Sequence, residues 1–243
     1  MNLQADVLAD LPDVAFYHLL ISADPSEVLR LRQVLGAKRP GVFQQAEKFF
    51  REKYGLRDLP LLVIDRILAL EDKDDSMYEA LKHGDYPQYA VSVYEKLDNP
   101  IGIIDYSLLL GRIKSAIAML ELVPSEDLWE LIRSASEHQC ESCLLYIFSR
   151  VDFNDALLRA LQLMYEPPIN VEWVLRVADP EVDVKLVTFL MKSESESDFL
   201  KLLVPKMSDE ELVKGRREVN GNNYHSVQQR LRIFDEEIER RKL

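Results

Sequence analysis

Apolar residues recur three and four positions apart along almost the whole chain. Leu128, Leu131, Ile132 and Ala135 form one such stripe, and Leu157, Leu158, Leu161 and Met164 form another. This spacing lines one face of a helix, so the pattern predicts a succession of amphipathic helices. The alternation expected of strands is missing. The one Asn-Gly pair, Asn220-Gly221, sits in the polar stretch from Val219 to Asn223 and reads as a turn between two helices. Pro100, Pro124, Pro180 and Pro205 fall between apolar runs, where a missing backbone N–H costs least. The expected fold class is all-α.

The helices repeat. Gly84, Gly111 and His138 stand 27 residues apart. Apolar or small residues follow each at the same four offsets. After Gly84 they are Tyr86, Tyr89, Ala90 and Val93; after Gly111, Ile113, Ala116, Ile117 and Leu120; after His138, Cys140, Cys143, Leu144 and Ile147. Small residues, Ala80, Ser107 and Ser134, precede each by four positions. A fourth step reaches Tyr165 with Val171 and Val174 still in register, and the phase then slips to Phe199, Leu200 and Leu203. Each unit reads as a short helix, a tight turn and a second helix. One such pair cannot bury its apolar face alone, so neighbours are expected to stack into a solenoid. Trp173 and Leu175 fall in the second helix of the fourth unit, and at least one of them is expected to be buried. The segment Gly111-Arg112-Ile113-Lys114-Ser115-Ala116-Ile117-Ala118-Met119-Leu120 resembles the helical part of an ankyrin repeat. The period is shorter and the Thr-Pro-Leu-His signature is absent, which implies helix pairs without β-hairpin fingers. A generic irregular helical solenoid fits the same pattern.

The first fifty residues differ. Leu11-Pro12 is followed by Leu19-Leu20, then by Asp24-Pro25-Ser26-Glu27-Val28-Leu29-Arg30-Leu31-Arg32-Gln33-Val34-Leu35. Asp24 can cap a helix with Pro25 in its first turn and Glu27 three residues on. Val28, Leu31, Val34 and Leu35 would be its apolar stripe. A Leu-Pro start, an aliphatic pair eight and nine residues later, and an acidic-Leu-x-x-Leu-x-x-Val helix resemble an F-box. The segment Ala46–Gly55 resembles the amphipathic helix that trails that motif. Leu35 stands where the motif has Cys, and Lys38-Arg39 where it has Trp. The resemblance implies a three-helix unit that docks on a Skp-type adaptor of a cullin ubiquitin ligase, with the repeats holding an unknown target protein. The residues it implicates are Leu11, Pro12, Leu19, Leu20, Pro25, Val28, Leu31 and Val34, some as core and others as partner anchors. The pairing of an F-box with ankyrin-like repeats is an arrangement of large DNA viruses that redirect host ubiquitination. A helical bundle that only caps the solenoid is the competing reading, with a structural or virion scaffold as the corresponding function. The domain organisation expected is an F-box-like domain at 1–55, a connecting helix and acidic linker at 56–76, and repeats with a C-terminal capping helix at 77–243.

Composition narrows the function. The 243 residues carry 42 acids and 30 bases, a net charge of −12, and such a surface repels a nucleic-acid backbone. With 8 glycines, phosphate-cradling loops are not expected. The N-terminus lacks a basic secretory leader, and the apolar run at 60–70 is broken by Asp65 and Arg66, so a cytoplasmic protein (host cytoplasm or nucleus if viral) is expected, with no membrane contact. His138-x-Cys140-x-x-Cys143 has three potential zinc ligands where a closed site needs four, and both cysteines fall on apolar repeat positions, so they read as reduced core residues. His18, His83 and His225 have no paired nucleophile. No metal, cofactor or catalytic residue is expected. The run Glu71-Asp72-Lys73-Asp74-Asp75 reads as a solvated linker. The C-terminal helix from about Tyr224 reads as a cap with Val227, Leu231, Phe234 and Ile238 inward.

Overall fold

The computed structural model describes residues 8, 10–162, 169–190, 197–221 and 227–243. Met164, Tyr165 and His225 lie outside these residues, as does the side chain of Phe199. The described residues are helical, with one isolated bridge between Val182 and Met207 and no strand. The fold is all-α. The chain divides into two compact units, Met1–Leu122 and Val123–Leu243. The boundary expected at residue 55 therefore falls inside the first unit.

The first unit holds α1 (Asp13–Ser22), α2 (Pro25–Leu35), α3 (Pro40–Lys53), α4 (Leu61–Leu68), α5 (Lys73–His83), α6 (Pro87–Val93), α7 (Pro100–Leu109) and α8 (Ile113–Leu120). Proline opens α2, α3, α6 and α7, where its fixed φ suits the first turn and its missing N–H has no intrahelical partner to lose. The first three helices surround Phe16, Leu20, Val28, Leu31, Phe43, Ala46 and Phe50, with Leu61 of α4 joining the same core. Burying each of the larger side chains stabilises the fold by ~1.5–3 kcal/mol. The rings of Phe16 and Phe43 meet edge to face at 5.6 Å. Beyond these, α4 packs on α5, α5 on α6 and α7, α6 on α8, and α7 on α8.

The second unit holds α9 (Leu131–Glu137), α10 (Glu141–Arg150), α11 (Phe153–Gln162), α12 (Val171–Ala178), α13 (Val184–Leu190), α14 (Ser197–Leu203), α15 (Asp209–Gly221) and α16 (Val227–Arg241). Here too each helix packs on the one two places ahead: α9 on α11, α10 on α12, α11 on α13, and so on to α14 on α16. Trp173 and Leu175 are both buried, at 8% and 2% exposure.

The repeat positions are nearly all buried: Tyr86, Tyr89, Ala90 and Val93, then Ala116 and Leu120, then all four residues after His138, with Ala80, Ser107 and Ser134 beneath them. Ile113 and Ile117 are only half-buried, and Ser115 and Met119 are buried in their stead. The reason is a phase shift. Tyr89, Ala90 and Val93 correspond in structure to Ser115, Ala116 and Met119, 26 residues on, and these to Cys143, Leu144 and Ile147, 28 further on. A uniform period of 27 averages the two. The helix stops show the same slip. Gly111 sits in the left-handed region at φ 66, but in the next unit the residue there is Gln139, at φ 49, not His138. In both places the following residue donates back to the helix, Arg112 to Ser107 at 2.7 Å and Cys140 to Ala135 at 2.8 Å, closing the Schellman bond that satisfies an end carbonyl.

Side chains also satisfy helix ends some thirty residues away within the same unit. Asp58 accepts from the Gln88 and Tyr89 amides at the start of α6, at 3.1 and 3.3 Å. Asp85 does the same for Lys114 and Ser115 at the start of α8, at 3.0 and 2.7 Å, and takes the Ser115 hydroxyl at 2.6 Å. In the reverse direction the Arg112 guanidinium donates to the Leu81 and Lys82 carbonyls at the end of α5, at 2.9 and 3.3 Å. Asn154 holds the Asp183 amide ahead of α13 at 3.0 Å.

Three local expectations are corrected. The acidic run is no linker. Asp72 caps α5 through the Asp75 amide, Lys73, Asp74 and Asp75 form its first turn, and Asp74 accepts from the Asp98 and Asn99 amides ahead of α7. Carboxylates gather there because the unpaired amides and the positive end of the helix attract them. Asn220-Gly221 is no turn, because α15 continues through both residues. In α16 the buried residues are Arg230, Phe234 and Glu237, whereas Val227, Leu231 and Ile238 are half-buried. Glu237 pairs with Arg240 and Arg241, and Arg241 reaches the Met207 and Pro205 carbonyls and Asp209. The inner face is thus set by an ion-pair network, which an apolar count does not register.

Candidate partner-binding surface

The surface is built on α1 to α3. Asp24 caps α2 by accepting the Glu27 amide at 2.9 Å and the Ser26 hydroxyl at 2.6 Å. The Ser26 bond first, then the Glu27 bond, hold its carboxyl below the usual range. Only half of a capping box forms, because the Glu27 carboxylate turns to Arg30 at 2.6 Å. On α3, Glu47 accepts from Arg32 and Arg51 at 3.1 and 2.8 Å and from the Leu61 amide at 3.3 Å, tying α2 and α3 to α4.

The eight residues implicated by sequence divide into two groups. Leu20, Pro25, Val28 and Leu31 are buried in the common core and hold the helices together. Leu11 and Leu19 are half-buried, and Pro12 and Val34 are exposed, Val34 at 60%. The expected stripe on α2 is corrected at one position. The helix buries Val28, Leu31 and Leu35, and Val34 lies beside that line and points to solvent.

The sequence pattern missed the feature next to Pro12. Helix α1 is apolar nearly all round. Phe16 and Leu20 fill the core, while Val14 is 70% exposed and Ala15 is exposed beside it. Val14 and Tyr17 line one wall of an open cleft of about 450 Å³. The other wall is Lys38, Arg39 and the start of α3 at Pro40 and Gly41. The Arg39 guanidinium lies 3.1 Å from Asp13 and 5.0 Å over the Phe16 ring. A helix that is hydrophobic on every side is normally buried, and one left at the surface offers contact area to a partner. The periodicity of residues 13–22 carries this signal, since every position except Asp13, His18 and Ser22 is apolar or aromatic.

Among the described residues no cluster of three or more histidine, cysteine or acidic side chains could hold a metal ion, and no helix is long and apolar enough to cross a membrane. No protein-family model, curated protein or solved structure matches the chain.

Proposed function

We propose that the chain is a non-enzymatic protein-interaction adaptor. Its first three helices act as an F-box-like unit that docks on a Skp-type adaptor of a cullin ubiquitin ligase, and its stacked helix pairs form an α-solenoid that holds a target protein. The observation that carries this reading is the unpartnered apolar side of α1, where Pro12 and Val14 face solvent while Phe16 and Leu20 fix the same helix to the core. A helix serving only to cap a solenoid would bury such residues and present a polar outer face. The i to i+2 packing of helices within each unit supports the repeat half of the reading.

The test is direct binding of the full chain to a purified Skp-type adaptor with its cullin. Wild-type protein should bind. Leu11→Ala with Pro12→Ala, or Val14→Asp alone, should leave the helical signal intact and weaken binding by ~1–3 kcal/mol, the effect of losing interface anchors. Leu31→Ala should instead cost the fold ~2–5 kcal/mol, as a core truncation does. No association by the folded wild-type chain, or unchanged affinity of the Val14→Asp protein, would refute the proposal.

A further inference from the structure

Cys140 is the N-cap residue of α10 and Cys143 the third residue of that helix. Three residues of separation put the two side chains on one face, with Cβ atoms about 5–6 Å apart. Both thiols are free and close enough for each to shift the other's titration. Cys140 Sγ lies 3.6 Å from the Ser142 hydroxyl. The two are not equivalent. Cys140 keeps 5% of its surface exposed and Cys143 none. The Cys140 backbone, at φ −83 and ψ 87, is not yet helical, with its amide donating to Ala135 and its carbonyl accepting from Leu144. A disulfide needs the two Cβ atoms to close to roughly 4 Å.

We propose that Cys140 and Cys143 are a redox couple that closes to an intrahelical disulfide at the expense of a small aliphatic disulfide such as oxidised glutathione. Cys140 attacks as the thiolate. It takes one sulfur of the oxidant into a mixed disulfide and releases the first glutathione thiolate, which is protonated. The Cys143 thiol gives up its proton and attacks Cys140 Sγ, expelling the second glutathione. One protein dithiol is oxidised and one glutathione disulfide is reduced to two thiols, so protons and electrons balance.

The electrostatics give the same order of attack. The Cys143 thiol, then Ser142 and the Cys143 amide, with His138 adding its charge, pull the Cys140 thiol down to about 6 against the opposing effect of burial. The Cys140 thiolate then keeps Cys143 protonated and, with burial, pushes its thiol up. A thiolate at a helix N-terminus with a protonated thiol three residues on is equipped both to start exchange and to resolve it.

The test uses the full chain, reduced and then equilibrated with mixtures of reduced and oxidised glutathione, acid-quenched, alkylated and weighed by mass spectrometry. Wild-type protein should lose two titratable thiols and two hydrogens together, and fragment mapping should join Cys140 to Cys143. Cys143→Ser should stop at a single glutathionyl adduct on Cys140. Cys140→Ser should react at least roughly tenfold more slowly at neutral pH, because the remaining thiol is buried and protonated. The same chain in denaturant, where the two cysteines become equivalent, supplies the reference rates and does not depend on either variant folding. Two independent adducts on native wild type, no thiol loss in excess oxidised glutathione, or a native Cys140 no faster than in denaturant would each overturn the proposal.

Discussion

Replacing Asp85 by alanine tests whether neighbouring helix pairs of the first unit are joined by their capping side chains or by apolar contact alone. Three bonds end on this carboxylate: the Lys114 amide at 3.0 Å, the Ser115 amide at 2.7 Å and the Ser115 hydroxyl at 2.6 Å. Ser115 is fully buried, so water cannot readily replace what it loses. Loss of a helix cap costs ~1 kcal/mol. A buried donor left without an acceptor adds ~1–3 kcal/mol. The expected loss is therefore about 3 kcal/mol, well above the usual surface substitution. Asp85→Asn retains one acceptor oxygen and should cost about half as much. Ser115→Ala removes the buried hydroxyl together with its need, so in the double variant the two losses should fall short of additivity by ~1 kcal/mol or more. The assay is urea unfolding followed by circular dichroism. Native-state hydrogen exchange at the Lys114 and Ser115 amides gives the local counterpart, and protection there should fall before that of the α7 interior. A loss under ~0.5 kcal/mol, or full additivity with Ser115→Ala, would refute the reasoning.

Other expectations follow from single contacts. Trp173→Ala should cost ~3–5 kcal/mol by thermal or urea unfolding, as removal of a buried large side chain does; a loss under ~1 kcal/mol would mean that α12 is wrongly placed. Gly215→Ala should destabilise by ~1–3 kcal/mol despite its gain in helix propensity, because the new methyl group would stand 2.7 Å from the buried Phe234 ring, and a rise in melting temperature would show that α16 yields easily. Glu79 is drawn down to about 2 by its bond to Arg66, aided by Lys82 and His83, from an ordinary 4.5. The unfolded chain binds the proton first, so this stabilisation is complete above pH 4.5 and is lost as the pH falls toward 2. Glu79→Gln should flatten stability against pH across that window, and an unchanged acid limb would remove Glu79 as its cause.

The helices were legible because their apolar spacing is local. Proline at the first turns of α2 and α7, Asp24 as a cap and Gly111 as a stop all act within five residues of where they stand, so the chain displays both the device and its target. The connections between helix pairs are not local. Asp58 and Asp85 act some thirty residues away, and their own surroundings mark them only as polar loop residues. Their 27-residue separation was nevertheless open to view, and it extends the repeat one unit toward the N-terminus. The acidic run around Asp72 was misread because a solvated charge and a capping carboxylate look alike until the amide partner is known. The inner face of α16 was misread for a related reason: Glu237 is buried through its pairing with Arg240 and Arg241, not through hydrophobicity. At and just ahead of α1, the motif positions are Leu11 and Leu19, whereas the exposed Val14 lies outside the motif.

The exchange of helix ends between Asp85 and α8, and between Arg112 and α5, decides how such a chain can grow or shrink. A segment removed at the visible helix boundaries would take away the acceptor of one helix and leave another with bare carbonyls. A segment of one whole period, cut in phase, would keep the acceptor of α8 and shift the loss to α6. Excising residues 59–85 would bring Asp58 directly ahead of Tyr86, into the place that Asp85 vacates, with its carboxylate facing the amides of α8 instead of those of α6. Between Asp58 and Asp85 the repeating module is thus offset from the structural one: it begins and ends at a capping aspartate, in the loop, and carries the closure of a helix that belongs to the next.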